Sequence, residues 1–425
     1  MKEEFKLQGN WKVVTFEEIA DGKNGIVDGP FGSNLKTSDY INDKINGVPV
    51  LTTKNLGGDY SDDKVRFISK DKFETLKRSQ VNPGDILVAK IGSIGKTGIY
   101  PKNARIAIIP ANLLKFTVSK KVNFDYVFYY INSNGLQNRI KNISTATAQP
   151  AFNVTKFRKL RIPLPPLPEQ LSIVSKIEEL FSELDNGIAQ LKTAQQQLKV
   201  YRQSLLNLLV TGKNLKTIDS VIEKLDQGWS PKCLNENSKD EKEWAVIKTS
   251  AVQHGHFIEI ENKILPPDLK PRVQHELEVG DILITRAGPR VRVGVCCMIR
   301  KTRQRLINCD KVYRIKVNTK IISPEYFELI LNTPYYQREI EKMKSGISDS
   351  GLNLTQVKFL KIEIPIPTLK EQQLIVSELE SKLTVCDKIE ETISQSLQQA
   401  EMLRQSILKK AFEGELVNYE LEKIN

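Results

Sequence analysis

Histidine is nearly missing from this chain. Three stand among 425 residues, at His254, His256 and His275, so general bases of that kind are few. None has a carboxylate or cysteine at ligand spacing, which argues against a metal centre. Cysteine is scarce as well. Cys233, Cys296, Cys297, Cys309 and Cys386 are odd in number and form no C-x-x-C pair. That pattern argues against a disulfide framework or a redox motif and fits buried thiols in a reduced, cytoplasmic protein. No apolar run approaches the ~18 residues of a membrane span. The opening MKEEFKLQGNWK is polar and mixed in charge, unlike a secretory signal. A soluble chain with no membrane partner is expected.

Acidic residues are absent from two long stretches. Between Ile86 and Phe124 there is no Asp or Glu, while Lys90, Lys96, Lys102, Arg105, Lys115, Lys120 and Lys121 are present. Between Ile282 and Cys309 the same holds, with Arg286, Arg290, Arg292, Arg300, Lys301, Arg303 and Arg305. The whole chain carries +12. Clustered cations neutralise phosphates and release counterions, and arginine pairs bidentately with guanine. Double-stranded DNA is the expected partner, and Lys90, Lys96, Lys102, Arg105, Arg286, Arg290, Arg292, Arg303 and Arg305 are the candidate contacts. A solvated hairpin with outward lysines is the bland alternative for any one of them. Gln149, in a small polar loop before Asn153, is a further candidate because glutamine can read adenine; capping a turn is its alternative. Gly346 to Gly351 is the matching loop before Asn353.

The two basic stretches belong to a repeat. VNPGDILVAKIGS (81–93) answers LEVGDILITRAGP (277–289), and FNVTKFRKLRIPLPPLPEQ (152–170) answers LNLTQVKFLKIEIPIPTLKEQ (352–372). The offset is 196 from Asp85 to Asp281 and 202 from Gln170 to Gln372. A period near 200 is too long for a solenoid unit and marks a duplicated module. Each module opens with mixed strand and helix. Strand signals lie at 48–53, 85–89 and 105–109, then at 245–249 and 281–285, and 126–142 has helical spacing. Prolines follow, at Pro163, Pro165, Pro166 and Pro168 in copy one and Pro365 and Pro367 in copy two, which predicts a stiff extended linker.

A long helix follows each linker. Val174, Ile177, Phe181, Leu184, Ile188, Leu191 and Leu198 repeat at three and four, with Gln195 and Arg202 interrupting; Val376, Leu379, Leu383, Ile393 and Leu397 do so in copy two. A lone helix cannot bury such a seam, so the two are expected to pair, antiparallel, because parallel pairing would make the heads collide; packing of each helix on its own head is the alternative. The expected fold is α+β: two similar mixed α/β domains separated by two long helices in an antiparallel coiled coil, a pseudo-two-fold internal repeat. The boundaries are 1–165 for the first domain, 166–212 for the central helix, 213–367 for the second domain, and 368–425 for the C-terminal helix and tail.

Three motifs point elsewhere and fail. Gly92-Ser-Ile-Gly95-Lys96-Thr97 ends like a phosphate-binding loop, but Lys90 stands where that loop needs glycine. Asn332-Thr-Pro-Tyr335 departs at Thr333 from an amino-methyltransferase tetrad, and no glycine-rich cofactor loop accompanies it. Pro267-Asp268 and Glu261-Asn-Lys263 have the order of a nuclease motif reversed.

Asp28-Gly-Pro-Phe-Gly-Ser33, Pro83-Gly-Asp-Ile-Leu-Val88 and Ile162-Pro-Leu-Pro-Pro-Leu-Pro-Glu-Gln170, with Gly228-Trp-Ser-Pro231, Gly280-Asp-Ile-Leu-Ile284 and Ile364-Pro-Ile-Pro-Thr-Leu-Lys-Glu-Gln372 in copy two, carry a resemblance. The chain resembles, over nearly its whole length, the specificity subunit of Type I restriction-modification systems. The resemblance implies a non-catalytic subunit whose heads each read half of a split target. It implies two methyltransferase subunits as partners, carrying S-adenosylmethionine, and motor-nuclease subunits using ATP and Mg. This chain itself would bind no cofactor. A self-contained DNA methyltransferase or nuclease, or a coiled-coil protein scaffold, are the alternatives. Copy two lacks the Gly-Pro-Phe-Gly-Ser segment, so the heads should read different half-sites. Thr368 and Lys370 replace prolines of copy one, which leaves open the angle at which the second helix leaves its head.

Overall fold

The computed structural model describes residues 9–417 except 31–33, 59, 62, 146–149, 208, 210, 211, 213 and 347. It divides into two units, Met1–Gln190 with Gln395–Asn425, and Leu191–Ser394. Both long helices therefore contribute to both units: the first is Leu167–Asn207 and the second is Leu369–Phe412.

In the first unit a four-stranded antiparallel sheet runs in the order Ile26–Asp28, Leu113–Phe116, Ile86–Ala89, Thr97–Ile99. The Ile86–Ala89 strand is apolar throughout because both of its faces are covered. Ile86 and Val88 enter the larger core with Phe16, Phe116, Tyr126 and Phe157, while Leu87 and Ala89 enter a second core with Leu51 and Tyr100. A five-stranded sheet, Tyr40–Ile41, Arg66–Ile68, Val48–Val50, Ala107–Ile108, Gln80–Val81, completes the head. Gly29 permits one close approach: a Cβ there would sit 2.1 Å from the Ile109 carbonyl oxygen.

The second unit repeats the four-stranded sheet, but in place of the five-stranded one it has a three-stranded sheet, Asn262–Ile264, Ala245–Ile247, Leu306–Ile307, and two-stranded pairs. Its four-stranded sheet runs Ile222–Gln227, Val312–Val317, Ile282–Thr285, Cys296–Met298, all antiparallel. Ile282 and Ile284 face one core, Leu283 the other. Gly228 occupies the place of Gly29, where a Cβ would lie 2.0 Å from the Asn308 carbonyl oxygen. Cys296, Cys297 and Cys309 are buried, and burial pushes their thiols up, Cys297 to about 12 and Cys309 to about 11.

Two sequence readings are refined. The helical stretch 126–142 is two helices, Phe124–Asn132 and Asn134–Asn142, because Ser133 turns extended and caps the second through its Oγ. The proline segments begin as edge strands, at Pro163 and Pro365, and only then run into the long helices. Arg161–Leu164 pairs with Lys12–Thr15, and Glu363–Pro365 with Leu215–Thr217. Proline is tolerated there because an edge strand leaves amides unpaired.

The long helices run antiparallel within each unit. In the first, Ile173, Val174, Ile177 and Phe181 from the start of one helix share a core with Ile407, Leu408, Ala411 and Phe412 from the end of the other. In the second, Leu205 from the end of the first helix and Leu209 just past it meet Leu379 and Cys386 near the start of the second. Of the expected seam, Val174, Ile177, Phe181, Leu379 and Ile393 are buried, and Leu184, Ile188, Leu191, Leu198, Val376, Leu383 and Leu397 are half-buried. Ion pairs flank it: Asp185 with Arg404 in the first unit, and Arg202 with Asp387 at 2.6 Å in the second. Such exposed pairs contribute little beyond register.

Candidate nucleic-acid interface

Each acid-free stretch begins as the hairpin after its Gly-Asp turn and runs on into a strand of the neighbouring sheet, Ala107–Ile108 or Leu306–Ile307, and the structure divides their cations into two kinds. Some are absorbed by the fold. Lys90 is 5% exposed and its Nζ lies 2.6 Å from Asp28 Oδ2. Lys115 is buried opposite Asp85, as Arg314 is opposite Asp281. Arg303 is buried, and its Nη1 donates to the carbonyls of Asp240 and Glu243 at 2.9 and 2.8 Å. Arg305, the one non-glycine residue with positive φ among the described residues, donates to the Lys242 carbonyl. Arg105 donates to the Lys44 carbonyl at 2.9 Å and stacks 5.1 Å over Phe67. Arg286 donates to the Asp310 carbonyl at 2.8 Å and lies over Tyr313. Arg290 is exposed but paired with Glu341 and Asp349.

The second kind remains open to a ligand. Lys96, Lys102, Lys120, Lys121 and Lys301 are exposed, and Arg292 is half-buried. None of the six side chains has a hydrogen-bond or ion-pair partner among the described residues. Lys96 follows two turn glycines in left-handed conformation, Gly92 and Gly95, and its Nζ reaches the neighbourhood of Gly57. The turn Thr53–Gly57 brings exposed Lys54 to the same region. Sequence reasoning missed Lys54, which lies outside the acid-free stretch. Its signal is the Gly57-Gly58 pair, where Gly58 ends the turn at φ 95. In the second unit Arg292 follows Val291, which is 81% exposed, in the turn between Thr285 and Cys296. Gln149 lies outside the described residues; its counterpart loop is held by the Arg290 amide, which donates to the Asp349 carbonyl at 2.8 Å.

The remaining motifs have structural duties. Thr333 caps the helix Pro334–Met343, and Asn332 donates to the Cys296 carbonyl while meeting His254 at 3.0 Å. Among the described residues no group of three His, Cys, Asp or Glu side chains could hold a metal, and no helix is long and apolar enough to cross a membrane.

A duplicated head with a basic hairpin, joined to an antiparallel helix pair, matches a known domain. The model of the Type I restriction modification DNA specificity domain matches residues 8–195 and again 214–399. The chain belongs to the Type I restriction-modification DNA specificity family. Among relatives, it is 28% identical to the Type I restriction enzyme EcoKI specificity subunit of Escherichia coli K12, over 97% of this chain and 90% of that one. It is 40% identical over 185 residues to the EcoEI specificity subunit of Escherichia coli, covering 44% of this chain and 31% of that relative. The fold matches the HsdS subunit from Thermoanaerobacter tengcongensis with TM-score 0.61 at 17% identity, covering 96% and 98% of the two chains. It matches a chain from a type I R-M system complex with TM-score 0.72, again at 17% identity, covering 97% and 100%. Specificity subunits are the non-catalytic members of their complexes, and family membership places this chain with them.

Proposed function

We propose that this chain directs a Type I restriction-modification complex to a split DNA target. Residues 1–165 and 213–367 each read one half-site, and the helical parts, 166–212 and 368–425, set the gap. Two methyltransferase subunits carrying S-adenosylmethionine modify adenine at the target, and motor-nuclease subunits using ATP and Mg cut unmodified DNA. The observation that carries the reading is the doubling of one four-stranded sheet and its flanking edge pair in a chain of the DNA specificity family. Lys54, Lys96 and Lys102 in the first head, and Arg292 and Lys301 in the second, are the phosphate contacts we favour, because their charge is not absorbed by the fold. Lys90 and Arg303 act inside it. Half-sites one helical turn apart are ~34–36 Å centre to centre. A helix of about 40 residues, ~60 Å at 1.5 Å rise, is long enough for such a gap.

Mapping methylated adenines across the genome of the host, with and without this gene, tests the proposal. A two-part motif should be methylated only when the gene is present. An identical methylation map in both strains would remove it.

A further inference from the structure

One residue recurs at the corner where each long helix leaves its head. Gln170 and Gln372 are each the fourth residue of their helix, 2% and 0% exposed. Gln170 Oε1 accepts the backbone N–H of Asn123 at 2.8 Å, and Gln372 Oε1 accepts that of Ser323 at 2.8 Å. Asn123 and Ser323 are the N-caps of matching head helices. The amide nitrogen of Gln170 donates to the Pro165 carbonyl at 2.8 Å; that of Gln372 donates to the Pro367 carbonyl at 2.9 Å and to the Ile321 carbonyl at 2.9 Å. One side chain thus ties head helix, proline corner and long helix together.

The surroundings of the two clasps differ. Glu169 accepts from the Trp11 indole at 2.7 Å, whereas Glu371 accepts from the Thr368 hydroxyl and amide at 2.8 Å. Pro166 and Pro168 become Thr368 and Lys370. The glutamine clasp is kept, beside a tyrosine hydroxyl that donates to the Pro163 or Pro365 carbonyl, so the exit geometry left open by those replacements is fixed the same way twice. The chemistry dictates the residue. The side chain must accept from an N–H with one atom and donate to a carbonyl with the other, which an ionised Glu or a Met cannot do.

We propose that Gln170 and Gln372 are positioning residues for the gap between half-sites. They hold the direction in which each long helix departs and leave half-site reading to the heads. This inference rests on the split-target reading above. A helix of ~60 Å is a long lever: a turn of ~10° at its base moves the far end by about 10 Å, roughly three base-pair steps of 3.4 Å.

The test uses the full chain in its host with its partner subunits, and maps methylated adenines for wild type, Gln170→Met, Gln372→Met and the milder Gln170→Glu and Gln372→Glu, which keep the accepting oxygens. Ile315→Val, a core substitution in the second head, serves as the control for lost stability alone. The readout is methylation at targets whose gap is one base pair longer or shorter, relative to the normal gap. That ratio should rise about fivefold in the Gln variants, the factor set by about one net hydrogen bond, with both half-site sequences unchanged. In Ile315→Val it should stay at the wild-type value. If a Met variant does not accumulate, its Glu counterpart is read instead. An unchanged ratio in the Gln variants, with methylation merely lowered at every gap, overturns the proposal. Absence of any two-part motif in the wild type would instead sink the split-target reading.

Discussion

Lys90 and Lys96 stand six residues apart in one acid-free stretch, yet their neighbours give them opposite work. Lys90 neutralises Asp28 inside the head. Replacing it by Met leaves that carboxylate only the exposed Arg78, 3.8 Å away, and should cost about 1–3 kcal/mol in denaturant unfolding. Lys96→Ala should leave unfolding unchanged and lower the salt slope of DNA binding by about 1, one phosphate contact. An equal salt slope for Lys96→Ala and wild type would remove Lys96 from the interface. Arg314 makes the electrostatic case in the second head. Burial acts to raise Asp226, but hydrogen bonds from Arg314 and Lys224 outweigh it and hold the carboxyl low. Asp281, more deeply buried, is pushed up despite the Glu278 amide and Arg314. In the wild type, Asp226 therefore adds stability above the carboxylate range that is lost as pH falls through it. Arg314→Leu should raise both carboxyls, so its folded state gains relative stability on acidification. The cost, about 3–5 kcal/mol at pH 7, should shrink toward pH 4. Urea unfolding at the two pH values checks this, and a cost that grows on acidification would contradict it.

Elements show what periodicity can and cannot reveal. The long helices were legible because their seams repeat at three and four over forty residues, and Val174, Ile177, Phe181, Leu379 and Ile393 are buried as that spacing requires. The break at Ser133 was not legible. Tyr126, Val127, Tyr130, Ile131 and Ile140 keep helical phase across it, and only the serine's cap geometry stops one helix and starts another. The proline corners misled for a related reason. Proline signals extended backbone, but whether a partner strand lies alongside depends on Lys12–Thr15 and Leu215–Thr217, more than a hundred residues away. Among the basic residues, the sequence located the hairpins but could not sort Lys90 from Lys96, because Asp28 lies outside the stretch and reaches Lys90 only after folding. A four-residue insertion within 190–198 extends the helix by about 6 Å and nearly preserves the phase of the seam. It should shift the tolerated gap by one or two base pairs and leave both half-sites as they were. Methylation mapping reads this directly, and an unaltered gap would deny the helices their spacing role.

At the scale of the whole molecule, duplication is the organising fact. The same four-stranded order, the same closely approached glycine at 29 and 228, the same acid opposite a buried cation, and the same glutamine clasp appear in each unit. What differs includes the smaller sheets and the hairpin surfaces: lysines in the first unit, arginines in the second, with Arg290 tied to Glu341 and Asp349. Shared scaffold with divergent surface is the arrangement that lets one framework read two sequences, since backbone contacts position a protein on DNA and side chains at base edges specify. The consequence is modularity. Exchanging residues 1–165 for the corresponding head of a relative keeps the Arg161–Leu164 edge strand within the exchanged part, so its pairing with Lys12–Thr15 survives. Such a chimaera should change one half of the methylated motif, keep the other, and keep the gap. A motif altered in both halves would mean that the heads read jointly, and a motif altered in neither would mean that the first head does not read DNA.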